Sequence, residues 1–415
     1  MVSYLARLAG VAALALPAVF GAPAPGAHLK IRNADIKEFV PNKYIVVYET
    51  DVAKETIESH FATVESLLSK RKRSFADGGI GAKYEIGDFK GYAVTADEAT
   101  IADIAATPEV AYIELDGIVY AQYIHDEVSQ STKEKRALTS QTGGPWGLGR
   151  ISHQSLITTP YIYDSTAGSG VTVFVVDTGI LITHTQFGGR ATWGANFVDS
   201  SNTDGNGHGT HCAGTVAGST YGVAKAANLV AVKVLDSSGS GTTAGVISGI
   251  QWVATNKATK SVLSMSLGGS LSTALNSAVR STIAAGVTVV VAAGNSNADA
   301  STSSPASETL AITVGASDES DARASFSNYG SVVDVFAPGV GVLSSWIGSN
   351  TATNTISGTS MATPHIAGLA AYLITLEGWT TPAAIQARIK ALATAGKPSN
   401  SLSVNAGLAY NGNGA

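Results

Sequence analysis

Three widely spaced side chains could do chemistry in this sequence: Asp177, His208 and Ser360. Asp177 follows the apolar run Val171-Thr172-Val173-Phe174-Val175-Val176, so it emerges where a buried strand ends. His208 opens the run His-Gly-Thr-His-Cys-Ala-Gly. Glycines at 205, 207 and 209 let the backbone there bring an imidazole close to another segment. Ser360 lies in Gly358-Thr359-Ser360-Met361-Ala362-Thr363-Pro364-His365. The apolar positions Ile366, Leu369, Leu373 and Ile374 follow, the pattern of a helix starting at the serine. A hydroxyl is a weak nucleophile at neutral pH and needs a base. An imidazole can take its proton, and a carboxylate can fix the tautomer and stabilise the imidazolium. Backbone N–H groups at the helix start would favour a developing oxyanion. Together these groups suit acyl transfer through a serine ester.

Each residue alone has a plainer reading. Asp177 could cap a turn, Ser360 could be an N-cap, and either His208 or His211 could be a structural histidine. Asp177-Thr178-Gly179 also marks aspartic proteases, which need two such carboxylates sharing a proton. No second Asp-Thr-Gly or Asp-Ser-Gly occurs. His208 and His211 could ligate a metal in a metal-dependent hydrolase, but no HExxH motif or third ligand accompanies them. Ala362 breaks the Gly-x-Ser-x-Gly elbow, which argues against an α/β-hydrolase esterase.

The order Asp, His, Ser and the three surrounding motifs resemble the subtilisin-like serine proteases. Neighbouring residues resemble the proteinase K-like branch secreted by fungi. The resemblance implies a secreted serine endopeptidase made as a zymogen, with Asp177, His208 and Ser360 as its triad. It also makes Asn295, in Ala292-Ala293-Gly294-Asn295, the side-chain donor to the oxyanion. Leu235–Gly241, including Gly239, and Ser264–Gly268 would be the edges that hold an extended peptide as an added strand. The pocket for P1, the residue supplying the scissile carbonyl, would be lined by Ser266, Leu267, Gly268, Ala292, Ala293 and Gly294. These residues are small or uncharged, so broad specificity with large apolar or aromatic P1 residues is expected. The backbone carbonyls of Thr309 and Ala311 with the Asp334 carboxylate match a structural calcium site. Cys212 matches a packing cysteine near the histidine. The alternative is a catalytically silent binding protein of the same family, but all four catalytic positions are intact.

Elements must deliver these groups to one place. Val171–Val176, Leu229–Val234, Val262–Met265, Val287–Ala292 and Leu310–Val314 are continuous apolar runs, as in strands covered on both faces. Ala244–Asn256 and Ser272–Ala285 are long enough for crossover helices. The expected fold is an α/β domain with a doubly wound, mostly parallel sheet and helices on both faces. Its site lies at the carboxyl ends of the strands. Pro364 is expected in the first helical turn, where it is tolerated.

Charge density marks a boundary. Residues 22–136 hold 33 charged side chains and residues 137–415 hold 23, with the break at Lys135-Arg136. Tyr44–Tyr48 and Val110–Leu115 read as strands. Ile57, Phe61, Val64 and Leu68 form one helical face, and Thr95-Ala96-Asp97-Glu98 reads as a capping box. This resembles the ferredoxin-like β-α-β-β-α-β plan of subtilase propeptides, an inhibitor within the chain over 22–136. Ala137-Leu138-Thr139 and Pro145-Trp146-Gly147-Leu148 resemble a mature start, giving a peptidase domain over 137–415. The basic run Lys70–Arg73 reads as a solvated loop in preference to a second processing site. Residues 1–21 read as a signal peptide, with Arg7, the apolar Leu8–Leu16 and Val19-Phe20-Gly21. No other run approaches the roughly 18 apolar residues that span a membrane. Cys212 is the single cysteine, so no intrachain disulfide can form, and no Asn-x-Ser/Thr sequon occurs. The near-neutral balance after 137 gives no sign of a nucleic-acid or membrane partner. A monomer acting on polypeptides is expected.

Overall fold

The charge-rich and apolar parts of the chain form separate units that share one strand. The computed structural model describes residues 31–72, 75–125, 138–378, 381–404 and 406–414. The segment 1–21, Arg73 and the junction at Lys135-Arg136 lie outside these residues.

The first unit runs β1 (Phe39–Tyr48), α1 (Lys54–Arg71), β2 (Gly79–Ile86), β3 (Phe89–Thr95), α2 (Glu98–Ala105) and β4 (Val110–Ala121). Its antiparallel strands stand in the order β4-β1-β3-β2, the β-α-β-β-α-β plan. Strand alternation turns Tyr44, Val46 and Tyr48 toward Val64 of α1 and Ile101 and Ile104 of α2. Ile45 and Val47 face the other way, into a core shared with the second unit. The hairpin β2–β3 has no counterpart in the apolar pattern; its signal is the Gly87-Asp88 turn, with Gly87 at φ 53°. Two expectations are corrected here. The cap of α2 is Asp97, which accepts from the Thr100 amide at 2.8 Å, because Thr95 is still paired in β3. Lys70 and Arg71 form the last turn of α1, not a loop, and Arg71 holds Asp103 at 2.6 Å.

A short strand β5 (Ile124–His125) follows, and then β6 (Thr139–Gln141), α3 (Trp146–Ile151) and β7 (Tyr161–Tyr163). The second unit continues with β8 (Thr172–Asp177), β9 (Ala191–Asn196), α4 (His208–Ala217), β10 (Asn228–Lys233), β11 (Ser240–Thr242) and α5 (Thr243–Asn256). Next come β12 (Ser261–Met265), β13 (Leu267–Ser270), α6 (Thr273–Ala284), β14 (Thr288–Ala292), β15 (Ser303–Ser304), β16 (Ile312–Ser317) and β17 (Val335–Pro338). The chain closes with β18 (Val342–Ser345), β19 (Thr353–Ser357), α7 (Thr359–Glu377), α8 (Pro382–Leu392) and β20 (Gly407–Leu408). Eight strands form one parallel sheet in the order β20-β17-β16-β14-β12-β8-β10-β9. Val173 and Val175 of β8 pack with α4 and α7 residues, whereas Phe174 and Val176 pack with α5 and α6 residues. Both faces are covered, as the unbroken apolar runs require. Because β8 lies between β10 and β12, the winding reverses at β8, and its carboxyl end is the switch point where α/β sites form.

The units dock through β4. Buried Glu114 accepts from Ser272 Oγ (2.6 Å) and the Thr273 amide (2.8 Å) at the start of α6. Asp116 accepts from the Ala244 amide (2.8 Å) at the start of α5. Burial pushes both carboxyl pKa values up, while the amides and helix dipoles favour the charged forms. Removing one partner of a charged hydrogen bond costs about 1.5–3 kcal/mol. In a Ser360→Ala precursor, Glu114→Ala is expected to speed hydrogen exchange across β4 by roughly 10- to 150-fold. Unchanged exchange would mean that the carboxylate does not hold the strand.

Candidate active site

Asp177 ends β8, wholly buried, and its Oδ1 accepts from His208 Nδ1 at 2.7 Å and from the Thr178 amide at 2.7 Å. His208 is the first residue of α4. Gly209 allows this approach: a Cβ there would overlap the Gly179 carbonyl and come within 3.2 Å of Asp177 Oδ1. Asp204, which the sequence reading passed over as part of a glycine-rich loop, fixes the entry to α4. Its carboxylate accepts from Thr178 Oγ1 (2.9 Å), the Gly207 amide (2.8 Å) and Thr210 Oγ1 (2.6 Å). Lys233 at the end of β10 is also buried and donates to the carbonyls of Thr178 (3.0 Å) and Leu235 (2.8 Å). Burial is the largest single influence and disfavours an imidazolium at 208, but the Asp177 charge and hydrogen bond and the neighbouring Cys212 together outweigh it, and the His208 pKa stands well above its ordinary value. His211 points elsewhere, with Nε2 on the Val342 carbonyl at 2.9 Å; burial pulls its pKa down to about 3. It is structural, and no metal pair with His208 forms.

Ser360 sits in the first turn of α7. Pro364 is six residues into that helix, not in its first turn. A proline there cannot donate to the carbonyl of residue 360, and that carbonyl instead accepts from Ser266 Oγ at 2.9 Å and contacts Cys212 Sγ at 3.5 Å. The Ser360 hydroxyl donates to the Ser266 carbonyl at 2.8 Å in place of His208. Asn295 Oδ1 accepts from the Thr359 amide and Oγ1, both at 2.9 Å, which leaves Nδ2 turned toward the Gly358 region. Cys212 lies 4.0 Å from both His208 ring nitrogens, and burial raises its thiol pKa. A neutral buried thiol is a packing group.

The first unit's own chain fills the cleft. β4 lies antiparallel between β11 and β13, with Tyr120 opposite both Ser240 and Gly268. The Ala121 amide donates to Gly239 O (3.0 Å) and the Gln122 amide to Ser266 O (3.2 Å). The Ser360 amide donates to Gln122 O at 3.0 Å. The Tyr123 ring lies on His208 with centroids 4.7 Å apart, and β5 pairs with β19 beyond it. Of the expected peptide contacts, Gly239, Ser266, Leu267 and Gly268 line this strand. Leu235 does not: it is wholly buried in the core beneath α5. Ala292 and Ala293 are buried at the end of β14, and Gly294 donates to Thr359 Oγ1 at 3.2 Å.

A doubly wound sheet that presents an Asp–His pair and a helix-borne serine at its switch point, with an inhibitory strand in the cleft, defines a serine-hydrolase zymogen. The chain belongs to the subtilase family, whose pattern matches residues 168–408, and a peptidase inhibitor I9 pattern matches residues 43–122. It is a subtilisin-like serine protease with an I9 propeptide. "Subtilisin-like protease 2" of Pseudogymnoascus destructans is 56% identical over 98% of each chain. "Alkaline protease 1" of Emericella nidulans is 48% identical over 96% of each. The "Cuticle-degrading serine protease" of Arthrobotrys oligospora is 48% identical over 92% of this chain and 93% of its own. A crystal structure described as a cold adapted subtilisin-like serine proteinase is 49% identical. It superposes with a TM-score of 0.62, covering 64% of this chain and 97% of that one.

The residues matching a calcium site do not fit the ion as they stand. Gln386 Nε2 donates to the carbonyls of Thr309 (3.3 Å) and Ala311 (3.0 Å) and to Asp334 Oδ2 (3.2 Å). Lys390 Nζ holds Asp334 Oδ1 at 2.6 Å. All four oxygens meet donors from α8, and an ammonium already supplies the positive charge. A calcium ion would have to displace both side chains, and it strongly prefers oxygen ligands. Chelator is therefore expected to leave the Tm of the wild type unchanged. Lys390→Ala with Gln386→Ala should lower the Tm and make it rise again with added calcium, by mass action. A drop in wild-type Tm with chelator would restore the calcium assignment.

Proposed function

We propose that the protein is a secreted endopeptidase in which Ser360 is the nucleophile, His208 the general base and acid, and Asp177 the group that orients His208. The observation that carries this is a peptide carbonyl, that of Gln122, on the Ser360 amide while His208 and Asp177 stand paired beside it. Turned from Ser266 to His208 Nε2, the Ser360 hydroxyl can lose its proton as Oγ adds to a substrate carbonyl. The Ser360 amide and Asn295 Nδ2 then receive the oxyanion. His208 gives the proton to the leaving amine, and water hydrolyses the ester. The silent-protein alternative is not favoured, since every group this sequence of steps uses is present. Secretion is supported by the reading of residues 1–21 as a signal peptide; among the described residues, no helix is long and apolar enough to cross a membrane. We take the mature enzyme to act on polypeptides as a monomer.

Backbone pairing on both edges of the cleft gives affinity with little sequence preference. The small, uncharged residues around Gly268 and Gly294 support apolar or aromatic P1 side chains. In a peptide-library digest, cuts after Phe, Tyr and Leu should dominate, and a preference for Asp or Glu would overturn this. Ser360→Ala is expected to abolish hydrolysis of a chromogenic peptide ending in Phe. Asn295→Ala should lower turnover by roughly 10²–10³, the range known for the corresponding donor in subtilisin. Asp177→Asn should lower it by roughly 10⁴. Because Asp177 raises the His208 pKa, the base is lost as pH falls through that raised value. Asp177→Asn should move the acid limb of kcat/KM to lower pH, and a limb that stays put would detach Asp177 from His208.

A further inference from the structure

We propose that Asp204 is a positioning residue for catalysis, acting on turnover through the Asp177–His208 bond; this rests on the catalytic roles proposed above. Asp204 is buried, and its hydrogen bonds all go to the two segments that carry that pair. Oδ1 accepts from Thr178 Oγ1 (2.9 Å), the Asn206 amide (3.0 Å) and the Gly207 amide (2.8 Å). Oδ2 accepts from the Thr210 amide (3.0 Å) and Thr210 Oγ1 (2.6 Å). No cation is among these partners. The carboxylate meets donors only.

The amides around His208 end on this carboxylate, directly or through one side chain. The Gly207 amide before it reaches Asp204 itself. The Gly209 amide after it donates to Thr178 Oγ1 at 2.9 Å. The His208 amide donates to Asn206 Oδ1 at 3.2 Å, and Asp204 holds the Asn206 amide. Helix α4 needs these outside acceptors, because it starts at Gly207 with no side-chain cap. A capping side chain cannot be supplied there, since a Cβ on Gly207 (φ 105°) would overlap the Trp346 ring.

Thr178 joins the two halves of the pair. Its amide donates to Asp177 Oδ1, while its hydroxyl accepts from Gly209 in the helix of His208. A hydroxyl can donate or accept, and an ionised carboxylate can only accept. Asp204 therefore commits the Thr178 proton to itself and leaves a lone pair facing Gly209. An asparagine has the same shape, but its NH2 would face donors at one of the two positions. The circuit then opens, and α4 shifts against the end of β8. Proton transfer through His208 depends on that alignment, while the substrate strand between β11 and β13 does not.

The test measures kcat, KM and Tm with the Phe peptide, on enzyme released from the full-length precursor. Asp204→Asn is expected to lower kcat by roughly 10- to 100-fold and to leave KM within about twofold. Thr178→Val opens the same circuit and should give the same split. Thr178→Ser, which keeps the hydroxyl, should recover most of that loss. In an Asp177→Asn background, Asp204→Asn should add little, because the bond it sets is already gone. A lower Tm with kcat untouched would make Asp204 a helix cap only, and this inference would fail alone. It fails likewise if Asp204→Asn costs as much without Asp177 as with it. Should Asp204→Asn not fold, the Thr178 variants decide the matter. If Ser360→Ala still hydrolyses the peptide, the catalytic reading fails as well.

Discussion

A carboxylate with no solvent exposure needs partners, and much of this structure can be traced to supplying them for one oxygen of Asp177, Oδ1. Its place is set by β8, flanked in the sheet by β10 and β12 with helices on both faces. That burial makes one strong bond to His208 worthwhile, because no water competes for the oxygen. The imidazole must then arrive from a different segment. Asp204 caps the approach, Gly209 lets α4 come close, and Lys233 ties the Thr178 carbonyl beneath. Each of these residues is itself buried and satisfied by polar partners, so the pair is held by a network whose members constrain one another.

The same edges that would bind substrate bind the propeptide. β4 adds a strand between β11 and β13, and two carboxylates close the ends of α5 and α6. Strand addition alone would be replaceable by any extended peptide. The helix-end contacts and the packing of Ile45, Val47 and Val119 against the second unit are specific to this chain. Inhibition and substrate binding therefore share a backbone geometry and differ in what lies outside the cleft.

Most of the fold was legible because its pattern is simple. Unbroken Val- and Ile-rich runs have one explanation, strands covered on both sides, and five such runs match β8, β10, β12, β14 and β16 to within three residues. The four positions proposed for catalysis were legible through family motifs, since alone Ser360 reads as a cap and Asn295 as a turn. What escaped was non-local. Leu235 looks like a cleft residue in sequence and is core because its amide turns to the Asp177 carbonyl. Thr95 begins a plausible capping box and is held in β3 instead. Nothing in the order of residues announces that Gln386 and Lys390, over fifty positions from Asp334, would meet it.

Those contacts bear on how a domain with a single cysteine holds together. A disulfide chiefly limits the unfolded chain, and a bound metal stabilises by mass action; this chain has no disulfide, and its matched metal residues meet protein donors. Ion pairs are among its long-range ties. The Arg150 guanidinium is wholly buried and forks onto Asp321 at 2.6 and 3.1 Å across 171 residues. Arg280 reaches Glu308 at 2.7 Å, and Lys390 reaches Asp334 at 2.6 Å. Only the Arg150–Asp321 pair is buried on both sides; such a pair adds little over a packed apolar pair, yet breaking one side costs about 3–5 kcal/mol. Such ties specify which segments meet more than they raise total stability. The mass of stability must then come from the two apolar layers on either side of the sheet, and the ion pairs tie α3, α6 and α8 to distant segments in a single arrangement.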